Sequence, residues 1–306
     1  MKKSIISNLS PLNGKTDMPN WVYVIKKLLA FVLCFILGAV AANGIVILLL
    51  VISGKNFTEG ETFSDTVMTF IQFYGNIVFI AVVLLYWKLI EKKPFAKLGV
   101  TKRFGNFFVG ALAGVLLLAV CIAGVMLAGG IRFSGVSEKH DLAMIALMFG
   151  GFIIQSAMEE FLCRGLVFSS LKEKTSLPVA VSVSTVVFIV PHLSNLSAGS
   201  TALKVTALLN LILISVIFSM IMLYFDSIWA ACGLHAFWNA FLSCVFGLNV
   251  SGVESGENTL LTFTSAGESV LNGGEYGIEA SVVTTAVLAA GAVLAVFMVR
   301  RRKAES

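Results

Sequence analysis

The sequence predicts an all-α polytopic membrane protein of about eight transmembrane helices, with both termini cytoplasmic. Three observations predict it. Hydrophobic residues fill 58% of the 306 positions and charged residues only 13%, about half the share a soluble domain carries. Apolar runs of the ~20 residues needed to cross a bilayer recur along the whole chain. Lys and Arg gather in alternate connections, the bias that keeps a connection on the cytoplasmic face. This composition excludes a disordered chain and a soluble cytosolic enzyme. The net charge of +5 sits in short clusters beside apolar runs, so the expected partner is the lipid bilayer and not nucleic acid.

Taken in order, residues 1–27 read as a cytoplasmic tail with Lys2, Lys3, Lys15, Lys26 and Lys27. A polar stretch follows Lys3 where a signal peptide needs a short apolar region, so no cleaved targeting segment is expected. The transmembrane domain covers 28–299, with spans at 28–53, 67–87, 107–130, 142–171, 178–193, 203–225, 228–248 and 281–299. The second connection holds Lys88, Lys92, Lys93, Lys97, Lys102 and Arg103, the fourth Lys172 and Lys174, and the basic cytoplasmic tail, 300–306, four Lys and Arg. The intervening connections mix Lys55, Arg132 and Lys139 with acids, the next carries Lys204 alone, and the connection 249–280 has five glutamates and no Lys or Arg. Eight spans return the chain to the face it left, which agrees with two basic tails on one side. The Gly- and Ser-rich stretch 249–280 is expected to be a mobile, unstructured extracytoplasmic connector. Cys34, Cys121, Cys163, Cys232 and Cys244 lie in apolar runs without C-x-x-C spacing and read as core-filling thiols.

Chemistry is expected in the segment 142–248, where polar groups interrupt apolar runs. Glu159 and Glu160 stand inside the fourth span, where an ionised side chain costs about 2.5 to 3.5 kcal/mol. Arg164 falls four residues after Glu160, on the same helix face. His192 closes the fifth span directly after Pro191, and His235 in the seventh has Asn239 four residues on. His140, between Lys139 and Asp141, reads as a solvated loop residue. Asn43, Gln72, Asn76, Gln155 and Asn210 lack companions at motif spacing and read as contacts between helices.

Depth allows the suspects to meet. Glu159 lies 13 residues before Lys172 and His192 lies 14 after Pro178, where Ser176 is placed to cap the helix. Both stand about 20 Å from the basic side at 1.5 Å per residue. His235 is only 8 residues beyond Ser227, about 12 Å, and matches that depth only if the tight connection before it is itself buried. A cluster of polar groups at such depth needs a water-filled cavity, expected as a funnel open toward the cytoplasm between the fourth, fifth and seventh helices.

The ordered motifs Glu159-Glu160-x-x-x-Arg164, Phe188-x-x-x-His192 and His235-x-x-x-Asn239 resemble those of the intramembrane glutamic endopeptidases, which include the type II CAAX prenyl endopeptidases and bacteriocin-processing enzymes. The resemblance covers about 159–239. It implies an endopeptidase in which Glu159, assisted by His192, activates a water, Glu160 and Arg164 hold Glu159 in place, and His235 with Asn239 forms an oxyanion hole. It implies no cofactor, a prenylated CAAX-type or leader peptide as substrate, and a bacterial plasma membrane as the setting. Two other readings stay open. Glu159, His192 and His235 are the residue types of a thermolysin-like zinc site, though H-E-x-x-H is absent. Intramembrane acids and histidines also build proton relays, and a non-enzymatic self-immunity protein would carry them too.

Overall fold

A computed structural model describes residues 8–138, 140–197, 199–256, 258–265 and 267–305. Lys2, Lys3, Lys139 and Glu257 of the charge pattern lie outside them. Among the described residues, eight helices are long and apolar enough to cross a membrane: α1 Asn20–Ile52, α2 Asp65–Glu91, α3 Gly105–Leu127, α4 Leu142–Lys172, α5 Leu177–Leu196, α6 Thr201–Phe225, α7 Ile228–Val245 and α8 Val282–Glu305. Every expected span is present, in order, and the chain is an integral membrane protein.

The ends differ from expectation for a physical reason. α1 begins at Asn20, so Lys26 and Lys27 are not tail residues; both are buried inside the helix. Lys27 Nζ lies 2.5 Å from Glu91 Oε1, a buried ion pair joining α1 to the end of α2. Lys26 Nζ donates to Asn13 Oδ1 at 2.9 Å and to the Lys15 carbonyl at 2.7 Å, and Tyr86 Oη donates to the Pro11 carbonyl at 2.6 Å. The N-terminal segment therefore folds back across the basic end of the bundle, supplying the partners that buried cations require. Ser176 stands at the N-cap of α5 with Pro178 in the first turn, but its side chain makes no cap hydrogen bond.

The connection 249–280 is structured, correcting the expectation of an unstructured connector. Its strand β2, Leu261–Ser265, pairs antiparallel with β1, Ile131–Val136, in the register Ile131 opposite Ser265 and Val136 opposite Leu261. A bulge between Phe133 and Gly135 bends the pair. Two short 3-10 turns, Gly274–Tyr276 and Ile278–Ala280, then return the chain to α8, with Ile278 and Ala280 buried. Such a pairing joins residues about 130 positions apart and leaves no local periodicity to read.

At the centre of the bundle is α7, the most enclosed of the eight spans. It packs on α3 backbone to backbone. A Cβ added at Gly110 would lie 1.9 Å from the Ala230 carbonyl oxygen, one at Gly114 would lie 2.5 Å from that of Leu234, and one at Gly233 would lie 1.9 Å from that of Phe107. Glycines four apart are what lets two membrane helices approach this closely. The turn before α7 is itself buried, which accounts for the depth of His235: Ser227 and Ile228 are fully covered, and Ile228 N–H donates to the Gly99 carbonyl at 2.9 Å.

Candidate active site

The same helices that carry the motifs leave α-geometry at them. α4 is α-helical through Glu160 and then π-helical over Phe161–Phe168; α7 is α-helical through Ala240 and π-helical over Phe241–Val245. Such widened turns accompany functional sites because each inserts a residue and re-aims the side chains around it. α5 tightens instead, into 3-10 turns over Val190–Ser197. Pro191 has no N–H to continue the ladder there.

These bends bring together all six residues singled out in the sequence. Arg164 is fully buried, with Nη1 3.0 Å from Glu160 Oε1 and Nη2 donating to Ser215 Oγ at 2.8 Å and to the Ser215 carbonyl at 3.2 Å. Its guanidinium lies between the rings of Phe188 at 4.5 Å and Phe218 at 4.9 Å, a desolvated cation between two π-faces. Glu160 Oε1 also accepts from His235 Nδ1 at 2.9 Å. The His235 ring stacks on Phe218 with centroids 4.7 Å apart. Arg164, Glu160 and His235 thus form one chain across α4 and α7. It leaves Nε2 of His235 directed at Glu159.

Glu159 is the group left uncommitted. Its Oε1 accepts from Gln155 Nε2, while its buried Oε2 has no hydrogen-bond partner. Around that oxygen, His192 Nε2 stands at 4.0 Å and His235 Nε2 at 3.9 Å. His192 Nδ1 is 2.8 Å from the Phe188 carbonyl, which only accepts, so Nδ1 carries a proton and the neutral ring presents its lone pair at Nε2. Separations near 4 Å between two acceptors are what one bridging water spans. With hydrogen bonds of about 2.8 Å, the angle at that water is about 90°.

Asn239 completes the group from one turn beyond His235, its Nδ2 3.5 Å from Gln155 Oε1. Gln155 therefore joins Glu159 to Asn239, although its sequence reading was a contact between helices. Its signal is its place one turn before Glu159 on the same face. Glu279 is the second residue that sequence reasoning missed. It comes from the connection 249–280, is half-buried, and accepts from Trp238 Nε1 at 2.8 Å and from the Ser251 backbone N–H. Burial pushes the Glu279 carboxyl up from its ordinary range, opposed by those two donors and by the nearby histidines His192 and His235. His140, as expected, is an exposed loop residue, its Nδ1 2.7 Å from the Ser137 carbonyl.

A cavity of about 500 Å³ contains Glu159, His192, Asn239 and Gln155 in its wall. Thr69 near the start of α2, Met148 near the start of α4, Asn195 at the end of α5 and Val250 to Gly256 of the connection form its mouth. It opens on the face that carries β1 and β2, opposite the basic connections, and the expected funnel toward the basic, cytoplasmic side is not what forms. Leu98, Leu166, Phe168 and Ile228 are fully buried beneath the site and fill that end. Among the described residues, no group of three or more His, Cys, Asp or Glu stands where it could hold a metal ion.

Residues 141–241, about a third of the chain, match the family described as Rce1-like, type II CAAX prenyl endopeptidase. The match opens at Asp141, which caps α4 by accepting from the Ala143 and Met144 N–H groups, and ends two residues past Asn239. No curated protein and no solved structure matches the chain. The matched stretch holds all three motifs, and Glu159, His192 and Asn239 from them line one cavity inside the eight-helix bundle.

Proposed function

We propose that the protein cleaves a peptide bond within the membrane, using a water activated between Glu159 and His192 without a metal. The observation that carries this reading is Glu159 Oε2: buried, without a protein partner, and about equally far from two imidazole nitrogens at the wall of a cavity. A water donating one hydrogen to Glu159 Oε2 and one to His192 Nε2 turns its lone pairs outward, toward a carbonyl carbon in the cavity. Attack forms the C–O bond, and the proton passes to the base pair. The same proton then goes to the leaving nitrogen as the C–N bond breaks, giving a carboxyl and an amino terminus.

The negative charge on the carbonyl oxygen is met by Asn239 Nδ2–H and by His235. Because His235 Nδ1 is committed to Glu160, its Nε2 donates only as an imidazolium. Glu160 stabilises that cation, and Arg164 holds Glu160 in place. Gln155 orients Glu159 through Oε1. The substrates proposed are a prenylated CAAX-type peptide or the leader of a secreted peptide, the second setting the reaction in a bacterial plasma membrane.

The test is cleavage of a membrane-inserted peptide by purified protein in lipid vesicles. Native protein is expected to cleave it after chelation and dialysis, and Glu159→Gln protein of equal thermal stability is expected not to. Stoichiometric zinc whose removal abolishes cleavage would replace the metal-free version, and an active Glu159→Gln variant would refute the role of Glu159.

A further inference from the structure

Where α1, α2 and α4 end on the basic side, the bundle neutralises much of its own charge. Lys27 pairs with Glu91, and Lys93 and Lys97 share Glu173. Between the first turn of α3, the end of α6 and the last turns of α8 it does not. A cleft of about 730 Å³ lies there, with Arg103, Arg301 and Arg302 in its wall against one carboxylate, Glu305. Arg301 Nε donates to Glu305 Oε1 at 2.8 Å. The other two guanidinium groups have no acidic partner among the described residues. Arg103 Nη1 donates to the Phe225 carbonyl, and Arg302 Nη1 to the carbonyls of Leu223 and Tyr224. These are the last carbonyls of α6, which lack partners within the helix. Each guanidinium is thereby fixed through one nitrogen, and its Nε and Nη2 bond no protein group among the described residues. The Arg302 guanidinium also lies over the Tyr224 ring, 5.8 Å from its centroid.

Toward the bilayer centre the same wall turns apolar. Leu294, Phe297 and Met298 of α8 line it, and Leu294 and Phe297 are exposed. Leu294 precedes Arg302 by eight residues, about 12 Å along the helix. We infer that this cleft binds an anionic phospholipid of the leaflet on the basic side, its headgroup phosphate between Arg103 and Arg302 and one acyl chain along Leu294 and Phe297. The guanidinium fork matches phosphate oxygens with paired hydrogen bonds. Basic recesses between membrane helices at headgroup level suit anionic lipids for this reason. A free phosphate meets only the arginines and leaves the apolar wall uncovered, so the cleft as a whole fits the lipid. Because α3, α6 and α8 each supply part of the wall, the bound lipid clamps the three together. The inference does not depend on the hydrolase reading.

The experiment uses the full chain in a neutral detergent, titrated separately with phosphatidylglycerol, phosphatidylcholine and inorganic phosphate. Native mass spectrometry counts bound lipid, and thermal denaturation is followed in parallel. One phosphatidylglycerol is expected to bind at least about tenfold more tightly than phosphatidylcholine, since each Arg beside an anionic lipid contributes about fivefold, and to raise the melting temperature. Inorganic phosphate at the same concentration is expected not to raise it. The double variant Arg103→Gln/Arg302→Gln is expected to bring the two lipids within about twofold of each other. Removing the same charge outside the cleft, with Lys88→Gln/Arg300→Gln, is expected to leave the native preference. Reading the preference as a ratio within each variant cancels general losses of stability. Should the first double variant fail to fold, a photoactivatable phosphatidylglycerol on native protein decides, with cross-links expected at Tyr224, Phe225 and residues 294–302. Equal binding of the two lipids by native protein, an equal loss of preference in both double variants, protection by inorganic phosphate as strong as by the lipid, or cross-links confined to other segments would each overturn the inference.

Discussion

One oxygen of Glu160 serves two helices at once: Oε1 accepts from Arg164 at 3.0 Å and from His235 at 2.9 Å. The adjacent acid, Glu159, faces the cavity with an oxygen that no protein group bonds. Two neighbouring glutamates are thereby separated in task by one helical step of about 100°, one paired in the interior and one left to face the cavity.

Arg164→Ala should unfold or strongly destabilise the protein, because it strands a buried carboxylate and empties the space between Phe188 and Phe218. The expected loss is ~3–5 kcal/mol, read from thermal denaturation in detergent. Arg164→Lys keeps the charge but not the planar fork that reaches Glu160 and Ser215 together. It should recover part of the stability and less of the activity.

Asn239→Ala should lower kcat by about 10² to 10³, the loss typical of one oxyanion donor, with little change in KM. Gln155→Ala, which frees Glu159 to swing, should lower kcat by about 10- to 100-fold, as removing a group that orients a reactive residue does. Gln155→Glu should be worse than Ala, since it sets a second negative charge against Glu159 Oε1. Steady-state rates on a vesicle-bound peptide distinguish these outcomes.

Closure of the connection 249–280 should depend on pH through Glu279. Burial raises the carboxyl of Glu279 in the folded state, so the folded state holds its proton where the open segment releases it. The stabilising contribution is full below the ordinary carboxylate range and is lost as pH rises through the raised value. Hydrogen exchange in residues 249–256, corrected for intrinsic rates, should show protection falling with rising pH. Glu279→Gln should flatten that dependence, and an unchanged slope would show that another group sets it.

Gly110→Ala should disrupt the contact between α3 and α7, since the new methyl would sit 1.9 Å from a backbone oxygen that no rotamer change can move. Lower thermal stability and loss of cleavage are expected together, because His235 and Asn239 ride on α7. Gly105→Ala, in the same helix with nothing within 4 Å of the added carbon, should be neutral in both measurements.

The parts of this arrangement that were legible in the sequence are those with local signatures. The eight spans follow from run length and charge bias, and the motif residues stood out because ionisable groups inside apolar runs carry a large cost. Gln155 did not stand out, since a neutral amide in a membrane helix is inexpensive and common. Glu279 looked solvated because a loop acid carries no sign of where its loop folds. Charge bias set Lys26 and Lys27 in the tail, although each finds a buried partner supplied from elsewhere, Glu91 for one and Asn13 with the Lys15 carbonyl for the other. It also orients the bundle without indicating which end is plugged; that depends on side-chain packing among Leu98, Leu166, Phe168 and Ile228, drawn from three different segments.

Under the hydrolase reading proposed above, the one-sided opening makes the reaction vectorial. Hydrolytic solvent is drawn from, and both fresh chain ends are handed back to, the aqueous phase beneath β1 and β2, while the phase bathing the Lys-rich turns is insulated from the chemistry by a hydrocarbon stopper. A substrate anchored in either leaflet must present its cleavable segment to that single phase, so the topology of the substrate, as much as its sequence, decides whether it is cut.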